Sequence, residues 1–331
     1  MGITPPAMPA DHRDEIERAA AHLRAGRLVA IPTETVYGLA ADASNARAVA
    51  EVFQIKARPH FDPLIVHIAD RVMIPKLVTD FPPLAETLTR RFWPGPLTLV
   101  LPRIPDAVPD IVTAGLDTVA LRMPDHPLTL AVLQRTGRPL AAPSANRFGR
   151  ISPTTAAHVR DELGDRIAMV LDGGPCRTGI ESTVVSLAGD RPTLLRPGGT
   201  PVEAIEAIIG PLADPEVSAG TAAPASPGML ERHYAPGTPL QLMSHPPTSP
   251  PRVEGRLGLL MPQPCRDVDV SVYSQVELLS ASGDLTEAAT NLFAAMRRLD
   301  EAGLTLIIAI TAPQSGLGIA INDRLRRAAM R

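Results

Sequence analysis

Residues 213–228, ADPEVSAGTAAPASPG, are small, polar and rich in proline. Such a stretch reads as a linker and divides the chain into two bodies. A chain of 331 residues is long enough to give each body a core of its own. The boundaries drawn this way are residues 1–210, a linker or lid over 211–236, and a second body over 237–331. Proline amounts to 36 of 331 residues, about twice its usual share of roughly 5%. A second proline cluster at 245–252 reads as an exposed loop.

Periodicity within the first body predicts helices over Asp14–Ala25 (closed by Gly26), Ala46–Lys56, Leu128–Thr136, Thr154–Leu163 and Pro201–Ile209. Strands are expected over Leu28–Ile31, Leu64–Ile68, Leu97–Leu101, Thr118–Leu121, Leu140–Ala142, Met169–Asp172, Ser182–Leu187 and Thr193–Arg196. Helices and strands mix without strict alternation, which predicts an α/β fold built on a twisted mixed sheet. Beyond the linker, strands at Arg256–Met261 and Leu304–Ile310 flank a helix over Asp284–Ala302, and a last helix starts near Ile319. That order predicts a smaller, Rossmann-like βαβ domain.

Composition removes several function classes. Net charge is −3, so nothing draws the whole chain toward nucleic acid. Aromatics are only 3%, too few for a single-strand stacking platform. The two cysteines, Cys176 and Cys265, are far apart and predict neither a disulfide framework nor a zinc site. No signal peptide or membrane span is recognisable, so a reduced, cytoplasmic enzyme or binding protein is expected. The P-loop, the strand-linked G-x-G-x-x-G, H-E-x-x-H and G-x-S-x-G are all missing. Any nucleotide would therefore be held by dispersed side chains.

Two polar clusters stand out. Lys56-Ala57-Arg58 follows a predicted helix, and two cations one residue apart in a loop suit an anionic ligand. Their competing role is to complement the helix dipole. Ser144-Ala-Asn146 opens from a strand end, where hydroxyl and amide groups suit phosphate or ribose. Thr33-Glu-Thr-Val-Tyr-Gly38 is either a ligand-binding strand exit or a capped turn. His67 lies among apolar strand neighbours and fits a structural role as well as a ligand role. Arg122 ends a buried strand and needs an anion, which a ligand or an internal carboxylate would supply equally well. Thr178-Gly179…Ser182-Thr183 is an anion-binding turn or a hairpin, and Arg196-Pro-Gly198 reads as a turn. His233-Tyr234, at the end of the linker, reads as a segment that docks onto something.

Taken together, these segments resemble the threonylcarbamoyl-AMP synthases, the YrdC-like family, in its longer two-domain branch. The resemblance rests on Pro32-Thr-Glu-Thr-Val-Tyr-Gly-Leu39, Lys56-x-Arg58, Pro63-Leu-Ile-Val-His67, Ser144-x-Asn146, Ser152-Pro-Thr154, Ser182-Thr-Val-Val185 and Arg196-Pro-Gly198 in order and spacing. Ser226-Pro-Gly…His233-Tyr-x-Pro236 and Gly316-Leu-Gly…Asn322-Asp-Arg-Leu325 point to the longer branch. The resemblance implies a YrdC-like catalytic domain that joins L-threonine, bicarbonate and ATP into L-threonylcarbamoyladenylate and releases pyrophosphate. Partner proteins would then use that product to modify tRNA. The resemblance also implies that Thr35, His67, Arg122, the Ala142 backbone and Ser182 hold L-threonine. Lys56, Arg58, Asp62, Thr118, Ser144, Asn146, Ser152, Arg196 and Tyr234 would hold ATP or the adenylate. The family often carries Asn at position 62, so Asp62 keeps an acceptor and loses a donor.

Those roles suit the chemistry. A carbamate oxygen must attack the α-phosphorus of ATP, and two anions approach each other only if cations lie between them. Lys56 and Arg58 are the expected catalytic pair, Mg²⁺ accompanies ATP without a dedicated carboxylate cage, and Tyr234 is the expected lid. Replacing Lys56 or Arg58 by Ala should abolish activity with the fold intact. The main alternative is a double-stranded RNA or tRNA-binding maturation factor, whose binding would weaken steeply with salt. A third reading, a carbamoyltransferase or hydrogenase-maturation component, would take carbamoyl phosphate instead of free threonine.

Overall fold

The computed structural model describes residues 12–215, 233–247, 254–265 and 268–330. The first body holds α1 (Arg13–Arg24), β1 (Val29–Ile31), β2 (Gly38–Asp42), α2 (Ala46–Lys56) and β3 (Ile65–His67). It continues through α3 (Pro83–Phe92), β4 (Leu97–Pro102), α4 (Asp110–Thr113), β5 (Thr118–Arg122), α5 (Pro127–Thr136) and β6 (Leu140–Ala141). It closes with α6 (Ala156–Leu163), β7 (Met169–Val170), β8 (Thr183–Ser186), β9 (Thr193–Arg196) and α7 (Val202–Ile209). The second body comprises β10 (Leu240–Met243), β11 (Leu257–Met261), β12 (Gln275–Leu278), α8 (Leu285–Glu301), β13 (Leu306–Ile310) and α9 (Leu317–Ala329). Among the described residues no helix is long and apolar enough to cross a membrane.

The first body is built on a nine-stranded sheet in the order β7-β1-β2-β6-β3-β5-β4-β8-β9. Parallel pairs (β3 with β5, β4 with β8) interleave with antiparallel ones (β2 with β6, β4 with β5), so the sheet is mixed as expected. The second body is a four-stranded, all-parallel sheet, β10-β13-β11-β12, with α8 linking β12 to β13. It holds two strands more than the βαβ reading anticipated. Both, β10 and β12, lie at the sheet's edges, where half-exposed residues blur the apolar pattern. In the first body β2 and α3 also went unpredicted. Gly38-Leu-Ala-Ala-Asp42 is made of small residues with no alternation, because it is buried throughout.

Two separate cores were expected, but one apolar cluster spans both bodies. Val36, Ile151 and Ile180 pack with Leu292, Phe293, Met296 and Ile321. Helix α8 also carries Arg297, whose guanidinium meets Glu162 of α6 at 2.5 Å, both side chains being largely buried. The two bodies are therefore joined by a dry contact as well as by the linker, most of which lies outside the described residues.

Candidate active site

The two polar clusters meet because β2 leaves the sheet beside the loop after β6. Ala145 donates its N–H to the Tyr37 carbonyl at 2.8 Å, and Leu39 donates to Pro143 O at 2.7 Å. Lys56 is the last residue of α2, and Ala57 ends that helix in a left-handed conformation (φ 51°). The turn sends Lys56 and Arg58 inward. Both are buried. Lys56 Nζ donates to the carbonyls of Ser144 and Asn146, each at 2.5 Å. It thus ties down the Ser144 loop instead of capping its own helix. Burial, then the charge of Arg58, lowers its pKa to about 7.

Arg58 donates from Nε to Asp62 O at 3.1 Å and from Nη2 to Pro63 O at 2.9 Å. The same Nη2 lies 2.9 Å from Asp62 Oδ2, and Asp62 is fully buried. That contact has ion-pair distance but not hydrogen-bond geometry, since neither carboxylate oxygen has a hydrogen-bond partner among the described residues. Burial raises the Asp62 pKa against the pull of Arg58 and Lys56.

These segments border one cavity. Its floor comes from the sheet. Ile65, Val100, Ala120, Val184 and Leu195 form an apolar patch on neighbouring strands, and Ile65 lines the cavity with His67. His67 and Arg122 stand side by side in the parallel register of β3 and β5. Burial, then the Arg122 charge, lowers the His67 pKa to about 3, so His67 is a neutral hydrogen-bonding group. Arg122 meets its anion inside the protein, its Nη2 donating to Glu34 Oε1 at 2.6 Å and to Thr35 Oγ1 at 2.9 Å. The second Glu34 oxygen accepts from the Asp125 N–H at 3.0 Å. Arg122 thus has an internal carboxylate partner and still lines the cavity.

On the opposite wall, Arg196 donates to Ser182 O at 2.9 Å and to Ser182 Oγ at 3.2 Å. Ser182 Oγ also shares a hydrogen bond with Thr98 at 2.8 Å. Tyr234 closes the cavity from above. It is buried in a left-handed conformation (φ 60°), its ring stacked on Phe293 of α8 at 5.6 Å. A non-glycine residue held there is strained, a feature that concentrates at functional sites.

Of the residues singled out from the sequence, Thr35, Arg58, His67, Arg122, Ala142, Ser144, Ser182, Arg196 and Tyr234 line this cavity. Lys56, Asp62, Asn146 and Ser152 are buried without forming its wall, Lys56 and Asp62 directly behind Ser144 and Arg58. Thr118 shares the sheet face of Ala120 and Arg122 by strand alternation, but lies at the far end of β5, away from the cavity. Sequence reasoning missed Glu34, Val36, Pro143, Glu181 and His233. Glu34 and His233 stood inside motifs already quoted, but nothing local showed which way they faced. The Asp62 carboxylate, Asn146 Oδ1, His67 Nδ1, His233 Nδ1 and the Tyr234 hydroxyl are buried without hydrogen-bond partners among the described residues. Such groups are uncommon in a folded protein, and of these His67, His233 and Tyr234 line the cavity.

Among the described residues no group of three or more His, Cys, Asp or Glu side chains is arranged for a metal ion. Glu34, Asp62 and Glu181 each face an arginine instead.

A family model described as telomere recombination matches residues 21–198. A second, described as threonylcarbamoyl-AMP synthase, C-terminal domain, matches residues 200–330. The threonylcarbamoyl-AMP synthase of Bacillus subtilis (strain 168) is 47% identical over 326 residues, which cover 95% of this chain and 93% of that protein. The threonylcarbamoyl-AMP synthase of Pyrococcus abyssi is 43% identical over 319 residues, covering 95% and 94%. A crystal structure of P. abyssi Sua5 complexed with L-threonine superposes with a TM-score of 0.86 at 40% identity, covering 95% of this chain and 94% of that one. With both bodies matched at this identity, the chain belongs to the threonylcarbamoyl-AMP synthase family in its two-domain form.

Proposed function

We infer that this chain joins L-threonine, bicarbonate and ATP into L-threonylcarbamoyladenylate and pyrophosphate. One observation carries the reading: arginines from three separate segments, Arg58, Arg122 and Arg196, border one cavity with an apolar floor and hydroxyl-bearing walls. A site that must hold a carboxylate, a carbamate and a triphosphate together needs that distribution of cations.

Threonine's neutral amine adds to bicarbonate with loss of water, giving a carbamate. A carbamate oxygen then forms a bond to the α-phosphorus, and the bond from that phosphorus to the oxygen bridging to the β-phosphate breaks, releasing pyrophosphate. No protein nucleophile is required. Positioning, and the exclusion of water that would decompose the carbamate, supply most of the rate. Arg122, held by Glu34 and Thr35, is suited to the threonine carboxylate. Arg58 and Arg196 are suited to the phosphates, and Mg²⁺ enters as part of the nucleotide substrate. The mixed anhydride is short-lived in water, so proteins that transfer the threonylcarbamoyl group to tRNA must take it up. Nothing favours the RNA-binding alternative.

The direct test is mass spectrometry of a reaction with ATP, bicarbonate and labelled threonine. A labelled adenylate is expected, and its absence from a folded, nucleotide-binding preparation overturns the reading.

Lys56 gives this site a pH signature. Its pKa of about 7 in the free protein rises when a polyanion binds beside it, because opposite charge favours the ammonium form. Between the two values, binding takes up a proton, so ATP affinity falls as pH climbs above about 7. The limiting slope is about tenfold per pH unit for one proton. Calorimetry in buffers of different ionisation enthalpy should show this uptake at pH 8 and lose it in Lys56→Met.

A further inference from the structure

Arg324 is on α9 of the second body, yet its side chain ends against the wall of the cavity in the first. It is fully buried. Its Nε donates to Glu181 Oε2 at 2.9 Å, and its Nη1 to Pro197 O at 2.8 Å and Asp323 Oδ2 at 2.7 Å. Its guanidinium lies 5.1 Å from the centroid of the Tyr234 ring. Glu181 lines the cavity, and its other oxygen accepts from the Ser152 hydroxyl. A single arginine therefore touches the acidic side chain of the wall, the turn before Gly198 and the tyrosine above the site.

We propose that Arg324 is a positioning residue for the nucleotide half of the reaction, so that the catalytic site is complete only when the second body is docked. The proposal rests on reading the cavity as a triphosphate site. Glu181 is the acidic side chain lining the cavity. Uncompensated, its carboxylate would repel an incoming triphosphate at low dielectric. Arg324 cancels that charge, fixes the oxygen that orients Ser152, and supports the Tyr234 ring by a cation–π contact.

A role confined to domain adhesion explains less. The apolar side of α9, with Leu317, Ala320, Ile321 and Leu325, already docks the helix. Buried ion pairs contribute little net adhesion. Moreover, Arg324 Nη2 and the Tyr234 hydroxyl are both buried without hydrogen-bond partners among the described residues.

The test compares Arg324→Gln, Arg324→Lys and the double variant Arg324→Gln/Glu181→Gln in the full chain, with steady-state pyrophosphate release and a thermal melt for each. Arg324→Gln should raise KM for ATP at least tenfold and leave KM for L-threonine within about threefold. Arg324→Lys should recover part of that loss. The double variant has no uncompensated carboxylate but still lacks the Arg324 support of Tyr234, so its KM for ATP should fall at least threefold below that of Arg324→Gln. An unchanged KM for ATP in folded Arg324→Gln overturns the proposal, as does a double variant no better than the single one. If Arg324→Gln does not fold, Arg324→Lys decides: a raised KM for ATP with an unchanged KM for L-threonine supports the proposal, and wild-type values for both overturn it. A wild-type protein without threonine-dependent turnover would instead overturn the functional reading.

Discussion

Arg58→Ala, introduced together with Asp62→Asn, is expected to lower kcat/KM for threonine-dependent pyrophosphate release about 10²–10³-fold. That is the usual effect of removing one donor aimed at developing charge in an enclosed site. The second substitution is needed because Asp62 is fully buried with its carboxylate against Arg58. Arg58→Ala alone would strand that carboxylate, at a cost of about 3–5 kcal/mol, against a total stability of about 5–15 kcal/mol for a typical domain. The structure thus corrects the expectation that the fold would be indifferent to losing Arg58. Asp62→Asn by itself should bind ATP more tightly, since no carboxylate then competes for Arg58, and should melt below the wild type because the buried guanidinium loses its counter-charge. Wild-type kcat/KM in the double variant would remove Arg58 from the chemistry.

Gly198→Ala should be nearly as damaging, although residue 198 carries no side chain to contribute. A Cβ there would lie 2.3 Å from Glu181 O, 2.4 Å from Ser182 C and 2.5 Å from Ser182 O. Real Cβ atoms do not approach backbone so closely, so the segment carrying Glu181 and Ser182 must move. Overpacking of this kind costs about 1–3 kcal/mol and sometimes more. A shift of about 1 Å in positioning groups reduces rate by about 10²-fold. A lowered melting temperature with a loss of that order in kcat is therefore expected. Gly189→Ala is the matched control, because a Cβ there meets nothing within 4 Å. Equal behaviour of the two variants would show that the close approach at Gly198 is unimportant.

Much of the fold was legible because the relevant signals are local. The helices α1, α2, α5 and α8 present apolar residues at helical spacing, and three of them end at positions marked by Gly26, Gly137 or the break after Lys56. Strands β3, β4, β5, β11 and β13 are apolar runs of ordinary length. Edge strands β10 and β12 and the small-residue strand β2 were not legible, since their identity depends on what pairs with them.

The site divides along the same line. Residue type and order alone marked Lys56, Arg58, Ser144 and Tyr234 as chemically unusual, because a cation pair, a hydroxyl at a strand end and a polar residue beside a linker are visible without neighbours, whereas Ser182 and Arg196 entered as site residues through the family resemblance. Partners were not visible. That Arg122 meets Glu34 across 88 positions, that Lys56 holds the carbonyls of the Ser144 loop, and that Arg324 crosses from the second body to Glu181 follow from sheet order and domain docking. The linear chain determined which residues stood out chemically and roughly where its two bodies divide. Tertiary structure alone decided which opposite charge each would meet, because a charge taken out of water must be compensated by whatever the fold brings within a few ångströms, at any distance along the chain.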